Sequence, residues 1–132
     1  MRRVILESPY AGKQPNRLCS EMERRRNILY ARLAVRDALS KGDAPVASHL
    51  LYTQPRVLND NLESERRWGI DAGLVWGMVA EATVVYHNFG ISAGMAYGIK
   101  HAEIAKRPVE MRLLSDEDMH TIEWDDLSDG MW

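Results

Sequence analysis

Apolar and polar positions divide the chain into short hydrophobic runs separated by longer segments of helical periodicity. The short runs are typical of buried strands and predict strands over residues 3–7, 44–48, 82–86 and 108–113. Between them, apolar residues recur every three or four positions, which predicts helices over residues 20–40, 62–80 and 92–106. Strands and helices therefore alternate along the chain, beginning with a strand.

This alternation predicts an α/β fold, because strand–helix–strand units form parallel sheets through right-handed crossovers. We expect a flavodoxin-like, or Rossmann-like, three-layer sandwich in which the parallel sheet has the strand order 2-1-3-4. In that order the loops after the first and third strands are neighbours at a topological switch point, where such sheets bind ligands. The carboxyl end of the second strand lies next to them.

Residues 82–95 carry the clearest pattern of a binding site. A β-branched run leads into a loop of small and polar residues, and Ser92 is expected to begin the next helix. The unpaired N–H groups of a helix N-terminus suit an anionic or hydroxyl-rich ligand. The candidate ligand-binding residues at the three strand ends are Ser8, Pro9, Tyr10, Gly12, Ser48, His49, Asn88, Gly90, Ser92, Gly94 and Met95. The alternatives are a tight turn that binds nothing and a purely structural role for His49.

The charge of the chain is unevenly distributed. The net charge is −2, yet residues 116–132 hold seven acidic residues and no Lys or Arg, which leaves residues 1–115 with twelve acidic and seventeen basic residues. We predict one α/β domain over residues 1–115, followed by an acidic C-terminal tail over residues 116–132. A mildly basic body favours an anionic ligand, but its charges are too few and too dispersed for nucleic-acid binding.

The single cysteine, Cys19, excludes an intramolecular disulfide and a cysteine-based zinc cluster, and we expect neither a metal nor a cofactor. A lone cysteine without a signal peptide is expected of a cytoplasmic protein, and no apolar run approaches the ~18 residues of a membrane span. The predicted second helix holds three glycines beside Trp68 and Trp76. Small residues in a helix favour close packing with a partner, so we expect a homo-oligomer.

Three segments of the chain together form a distinctive pattern: residues 7–12 (ESPYAG), residues 44–52 (APVASHLLY) and residues 90–95 (GISAGM). In these segments the chain resembles the nucleoside 2-deoxyribosyltransferase superfamily. Within that superfamily the chain is most similar to an uncharacterised family of phage and bacterial proteins, over residues 3 to about 113. The resemblance implies a nucleotide-derived or nucleoside-like small molecule as the ligand. In a phage, such a protein would sequester a signalling nucleotide of the host.

The resemblance also implies a chemistry, from which this chain departs. The transferases carry an Asp-x-Gly-Thr-x-x-Glu motif, whose Glu attacks the anomeric carbon of the sugar. Matched to residues 88–94, the motif places Gly94 at the Glu position and Asn88 at the Asp position. Binding without covalent transfer is therefore the first expectation.

The alternative is an enzyme that acts on N-glycosidic bonds, as a deoxyribosyltransferase or a nucleoside hydrolase. Such an enzyme would need a carboxylate from elsewhere in the chain, and Glu7 and Asp71 are the candidates. His49 or Tyr10 would then donate a proton. A third possibility is an interaction subunit with a vestigial pocket.

Overall fold

The computed structural model describes residues 1–124, with side chains as far as Ile122. These residues form four strands and five helices. The strands are β1 (Arg2–Glu7), β2 (Asp43–Val46), β3 (Ala82–Tyr86) and β4 (Val109–Arg112). The helices are α1 (Arg17–Ser40), α2 (Ser48–Leu51), α3 (Glu63–Gly77), α4 (Ala93–Ile104) and α5 (Asp116–Trp124).

The four strands form one parallel sheet with the order β2-β1-β3-β4, flanked by helices. This confirms the predicted flavodoxin-like α/β sandwich and its strand order 2-1-3-4. β1 and β3 are adjacent, with Glu7 opposite Val85, so the loops after both strands leave the same edge of the sheet. All five residues of β3 are buried, as expected for a central strand covered on both faces.

Alternate residues of β1 face opposite sides of the sheet. Val4 and Leu6 are buried in the hydrophobic core together with Tyr30 and other residues of α1. Ile5 and Glu7 face the other side, where they line a cavity beside α3 and α4. The sheet therefore separates a filled core from a side on which space is left.

α1 begins at Arg17, three residues before the predicted start. The side chain of Asn16 caps it by accepting hydrogen bonds from the backbone N–H groups of Leu18 and Cys19, at 2.9 and 3.1 Å. The first turn of α1 is exposed, so it lacks the apolar period from which the prediction was made.

The predicted second strand was too long at its carboxyl end. β2 ends at Val46, and residues 48–51 form the short helix α2. A helix of four residues makes little more than one turn and therefore has no apolar period to reveal it. Ser48 and His49 consequently lie on a helix and not at the end of a strand.

The first part of the predicted acidic tail is helical and packed. α5 contacts α1, and its residue Ile122 is only 3% exposed in the main core. Three acidic residues occupy its first turn, where the helix dipole favours negative charge. Residues 125–132, the rest of the predicted tail, lie outside the described residues.

The outer surface of α3 exposes large apolar side chains, including Trp68, Val75 and Trp76. Such a patch is compatible with the expected homo-oligomer, which stays a prediction. Among residues 1–124, no helix combines the length and apolar character that a membrane span requires.

Candidate functional site

A cavity of 230 Å³ lies between α3 and α4, over the side of the sheet that carries Glu7. Both helical walls are lined by glycines spaced four residues apart, namely Gly69, Gly73 and Gly77 on α3 and Gly94 and Gly98 on α4. Residues four apart lie on the same face of a helix, so the glycines mark the side of each helix that faces the cavity, together with side chains such as Ile70 and Leu74 on α3 and Tyr97 and His101 on α4. The glycines that suggested a subunit contact therefore line internal space instead.

Many of the predicted site residues lie together around this cavity. The end of β1, the loop after it and the helix α2 contribute Glu7, Ser8, Tyr10, Ser48 and His49. The start of α4 contributes Ser92, Gly94 and Met95. Residues from all three strand ends thus meet at the switch point, because the parallel order brings the ends of β1, β2 and β3 to one edge.

Two predicted residues of the β3 loop are not among the residues that line the cavity. The side chain of Asn88 has a structural role, because its Oδ1 accepts hydrogen bonds from Tyr30 Oη at 2.6 Å and from the Leu114 N–H at 2.8 Å. Its Nδ2 donates to the Leu114 carbonyl at 3.2 Å. Gly90 has a φ of 88° and forms the turn itself. The prediction that these residues line the cavity was wrong, because Asn88 is hydrogen-bonded to Tyr30 and Leu114, and Gly90 forms the turn after β3.

The other predicted residues absent from the lining are Pro9, Gly12 and Asp71. Pro9 is buried in the loop after β1. Gly12 packs against α1, where an added Cβ would collide with the carbonyl oxygen of Ser20. Asp71 is exposed on α3. Asp71 therefore does not supply the relocated carboxylate to this cavity, whereas Glu7 lies in its wall.

Glu7 has the most unusual environment of the acidic residues in the cavity. Its carboxyl group makes no hydrogen bond to any residue that the structure describes. Burial raises the pKa of Glu7 to about 8, although the positive charge of Arg107 partly opposes this shift. The group is therefore mostly protonated at neutral pH and able to donate a hydrogen bond.

The position of Glu7 depends on Gly98. A Cβ added to Gly98 would collide with Glu7 Oε1, so α4 accommodates the carboxyl group only where it lacks a side chain. By contrast, a Cβ added to Gly94 would meet no atom within 4 Å. The Glu7 carboxyl group therefore packs against the backbone of Gly98, whereas the space beside Gly94 at the start of the helix is open.

Ser8 and His49 form a hydrogen bond across the cavity wall. The distance between Ser8 Oγ and His49 Nε2 is 2.6 Å. Burial lowers the pKa of His49 to about 4, so its imidazole is neutral at physiological pH. The His49 carbonyl accepts a hydrogen bond from Thr53 Oγ1 at 2.7 Å, which ties α2 to the following residues.

Ser92 is the N-cap of α4, as the sequence pattern predicts. Its Oγ accepts a hydrogen bond from the Met95 N–H at 3.2 Å, so the hydroxyl group is engaged in capping. The next two residues, Ala93 and Gly94, also line the cavity. The N–H groups of a first helical turn have no partner within the helix, and these two are the ones available to a ligand.

Replacing Ser92 with alanine is expected to lower the free energy of unfolding by about 1 kcal/mol, because the cap is lost. Chemical denaturation measures this difference. Ser64→Ala is the control, since Ser64 is exposed in the first turn of α3 and makes no hydrogen bond through its side chain to a described residue. Equal stability of both variants would show that Ser92 does not cap α4.

Sequence reasoning missed several residues of the cavity wall. Arg107 is held by hydrogen bonds to Thr83 Oγ1 at 2.9 Å and to the Gly77 carbonyl at 2.8 Å. Tyr97 lies edge-on against His101, with ring centroids 4.5 Å apart. The four-residue spacing of the glycines was the pattern that could have located these walls. Nothing in the sequence distinguished Arg107 from other arginines.

Among the side chains described, which extend to Ile122, no group of three His, Cys, Asp or Glu is arranged to hold a metal ion. The fold and the site define a parallel α/β protein with a glycine-walled cavity at the carboxyl ends of its strands. The chain belongs to the family described as domain of unknown function DUF7768, whose model matches residues 2–112. No curated protein and no solved structure gives a significant match to the chain.

Proposed function

We propose that this protein binds a nucleoside-like or nucleotide-derived small molecule in the cavity between α3 and α4. The observation that carries the proposal is the carboxyl group of Glu7, which lies in the wall without a hydrogen-bond partner among the described residues. Glu7 opens onto the cavity, where a ligand can supply the hydrogen-bond partner that the protein does not, and a hydrogen bond to such a poorly solvated group gains free energy. The proposal includes the relationship to the nucleoside 2-deoxyribosyltransferase superfamily that the sequence suggests.

The size of the cavity favours a small ligand. Pockets for drug-sized ligands have volumes of roughly 300–1,000 Å³. The cavity of 230 Å³ lies just below this range, which suits a nucleoside better than a dinucleotide. Tyr10 offers an aromatic ring on which a base could stack, and its backbone carbonyl is held by Asn27 Nδ2 at 3.1 Å.

Two hydrogen-bonding groups of the wall are neutral, whereas Arg107 brings a positive charge to it. Glu7 is mostly protonated and His49 is neutral at physiological pH, so both act as neutral hydrogen-bonding groups. A phosphate group, where a ligand carries one, would instead face the N–H groups of Ala93 and Gly94 at the start of α4. This arrangement agrees with a nucleoside in the cavity and admits a nucleotide-derived molecule.

The test is a thermal-shift and calorimetric panel of bases, nucleosides and nucleotides. A nucleoside at 100 times its Kd should raise the free energy of unfolding by about 2.7 kcal/mol. Tyr10→Ala should weaken binding by about 1–3 kcal/mol if the base stacks on the ring. Asp71→Ala is the control, because Asp71 is exposed outside the cavity lining. Failure of every compound to stabilise the folded wild type would refute the proposal.

A second candidate function, an enzyme that acts on N-glycosidic bonds, is favoured by the same carboxyl group. A carboxyl with a pKa of about 8 is protonated at neutral pH and can donate its proton to the departing base as a general acid. His49 or Tyr10 was expected as the proton donor, but the low pKa of His49 keeps its imidazole neutral, and a neutral imidazole is a much weaker acid than a carboxylic acid. Glu7 is therefore the better candidate for this role.

Release of the free base from a bound nucleoside, measured by chromatography, separates the two functions. For an enzyme, Glu7→Gln should lower the rate of base release by about 10²–10⁴-fold while nucleoside binding persists. Gly98→Ala should lower the rate as well, because its Cβ displaces the Glu7 carboxyl group. Glu103→Gln, an exposed change on α4, is the control for both. Binding without base release by the wild type would leave only the binding function.

A further inference from the structure

We propose that Ser8 and His49 form a nucleophile–base pair, through which this protein accepts an acyl group from an activated ester. The two side chains come from different elements: Ser8 from the loop after β1 and His49 from α2. They are 41 positions apart in sequence, yet Oγ and Nε2 lie 2.6 Å from each other. A hydroxyl group within hydrogen-bond distance of an imidazole nitrogen is the geometry that nucleophilic serine requires.

The pair is placed where a small molecule can reach it. Ser8 and His49 both line the cavity, although Ser8 is only 5% exposed. Ala93 and Gly94, at the N-terminus of the twelve-residue helix α4, line the same cavity. Backbone N–H groups and the positive end of a helix dipole stabilise the negative charge that develops on a carbonyl oxygen during acyl transfer.

The protonation state of the pair defines the class of substrate. With the ring proton on Nδ1, neutral His49 accepts the Ser8 hydroxyl proton at Nε2. Burial, which holds the pKa of His49 near 4, keeps the imidazole neutral but makes it a weak base. The pair is therefore suited to esters with a leaving group that departs easily, such as aryl esters.

The reaction has two balanced steps. Ser8 Oγ attacks the carbonyl carbon while its proton passes to His49 Nε2, and the bond from that carbon to the aryloxide oxygen breaks. His49 returns the proton to the aryloxide, which leaves as the phenol. Water then attacks the acyl-serine, with His49 accepting the water proton, and the carboxylic acid is released as Ser8 regains its hydroxyl hydrogen.

The test uses p-nitrophenyl acetate and a fluorophosphonate, which forms a bond from phosphorus to Ser8 Oγ as fluoride leaves. Peptide mapping by mass spectrometry should locate the phosphonyl adduct on Ser8 of the folded full-length protein. His49→Gln should lower the rates of labelling and nitrophenol release by about 100-fold or more, since glutamine cannot accept the proton. His87→Gln is the matched control, because His87 does not line the cavity. Imidazole added to His49→Ala should restore part of the rate.

Several outcomes would overturn the assignment. One is a folded wild-type protein without an adduct, and another is an adduct only on other serines. A third is labelling of Ser8 at the same rate in folded His49→Gln as in the wild type, which would mean that His49 is not the base. Because adduct mapping is done on the wild type, the result stands even if a Ser8 or His49 variant fails to fold. The assay contains no nucleoside, so its outcome is separate from that of nucleoside binding.

Discussion

Glu7→Gln is expected to be more stable than the wild type at pH 9, by roughly 3–5 kcal/mol. Burial raises the pKa of Glu7 from 4.5 in the unfolded chain to about 8 in the folded protein. Between these values the folded state holds a proton that the unfolded state has lost, so the free energy of unfolding falls as pH rises. Glutamine is neutral at every pH and removes this penalty.

The expected difference between Glu7→Gln and the wild type has a defined pH dependence. The difference should be small at pH 4, because Glu7 is then largely protonated and, like glutamine, neutral. It should grow between pH 4.5 and about 8 and be constant above that. Urea denaturation at pH 4, 6, 7.5 and 9 measures it. Glu103→Gln should follow the wild-type curve, since Glu103 is exposed. If the free energies of unfolding of the wild type and Glu7→Gln differed by the same amount at every pH, burial would not be raising the pKa of Glu7.

Asp43→Ala is expected to lower the free energy of unfolding by about 3–5 kcal/mol, because it breaks a buried ion pair. Asp43 is only 4% exposed. It accepts hydrogen bonds from Arg112 Nη2 at 2.8 Å and from Arg2 Nε at 3.2 Å. Its removal leaves the guanidinium of Arg112, which is also largely buried, without its shortest charged contact.

The pH dependence gives an independent check on Asp43. Burial alone would raise its pKa, but the hydrogen bonds from Arg112 and Arg2 outweigh burial and hold the pKa below the usual 3.8. Its stabilising contribution is therefore complete above pH 3.8 and is lost as pH falls through the lower, folded value. Asp71→Ala, an exposed change, should leave stability within about 0.5 kcal/mol of the wild type. An equal loss in both variants would contradict the prediction.

Short-range patterns in the sequence were sufficient to predict the four strands and their order in the sheet. The run Ala82–Tyr86 was predicted with the observed boundaries of β3, because five consecutive apolar or β-branched residues leave few alternatives in a buried strand. The strand order followed from alternating strands and helices and from the handedness of the crossovers. The boundaries at Asn16 and Ala47 were missed, because a cap and a one-turn helix depend on individual hydrogen bonds.

The candidate site was predicted in its location but not in its composition. Ser8, His49 and Ser92 were proposed because each follows a predicted strand, and all three line the cavity. Asn88 was proposed on the same ground, yet its side chain is used by Tyr30 and Leu114. A sequence shows that a polar residue is near an edge of the sheet, but not which partner its side chain finds.

By itself, the sequence determined the four strands, the helices α1, α3 and α4, their order and the edge of the sheet at which polar residues gather, since these depend on local periodicity and chain direction. Only the tertiary structure decided that the glycines of α3 and α4 enclose a cavity, that Gly98 makes room for the Glu7 carboxyl group, and that Ser8 meets His49. The physical reason is that cavities, close approaches and pKa shifts arise between segments that are distant in the chain. Their relative placement depends on how whole helices pack on the sheet, which no local pattern specifies.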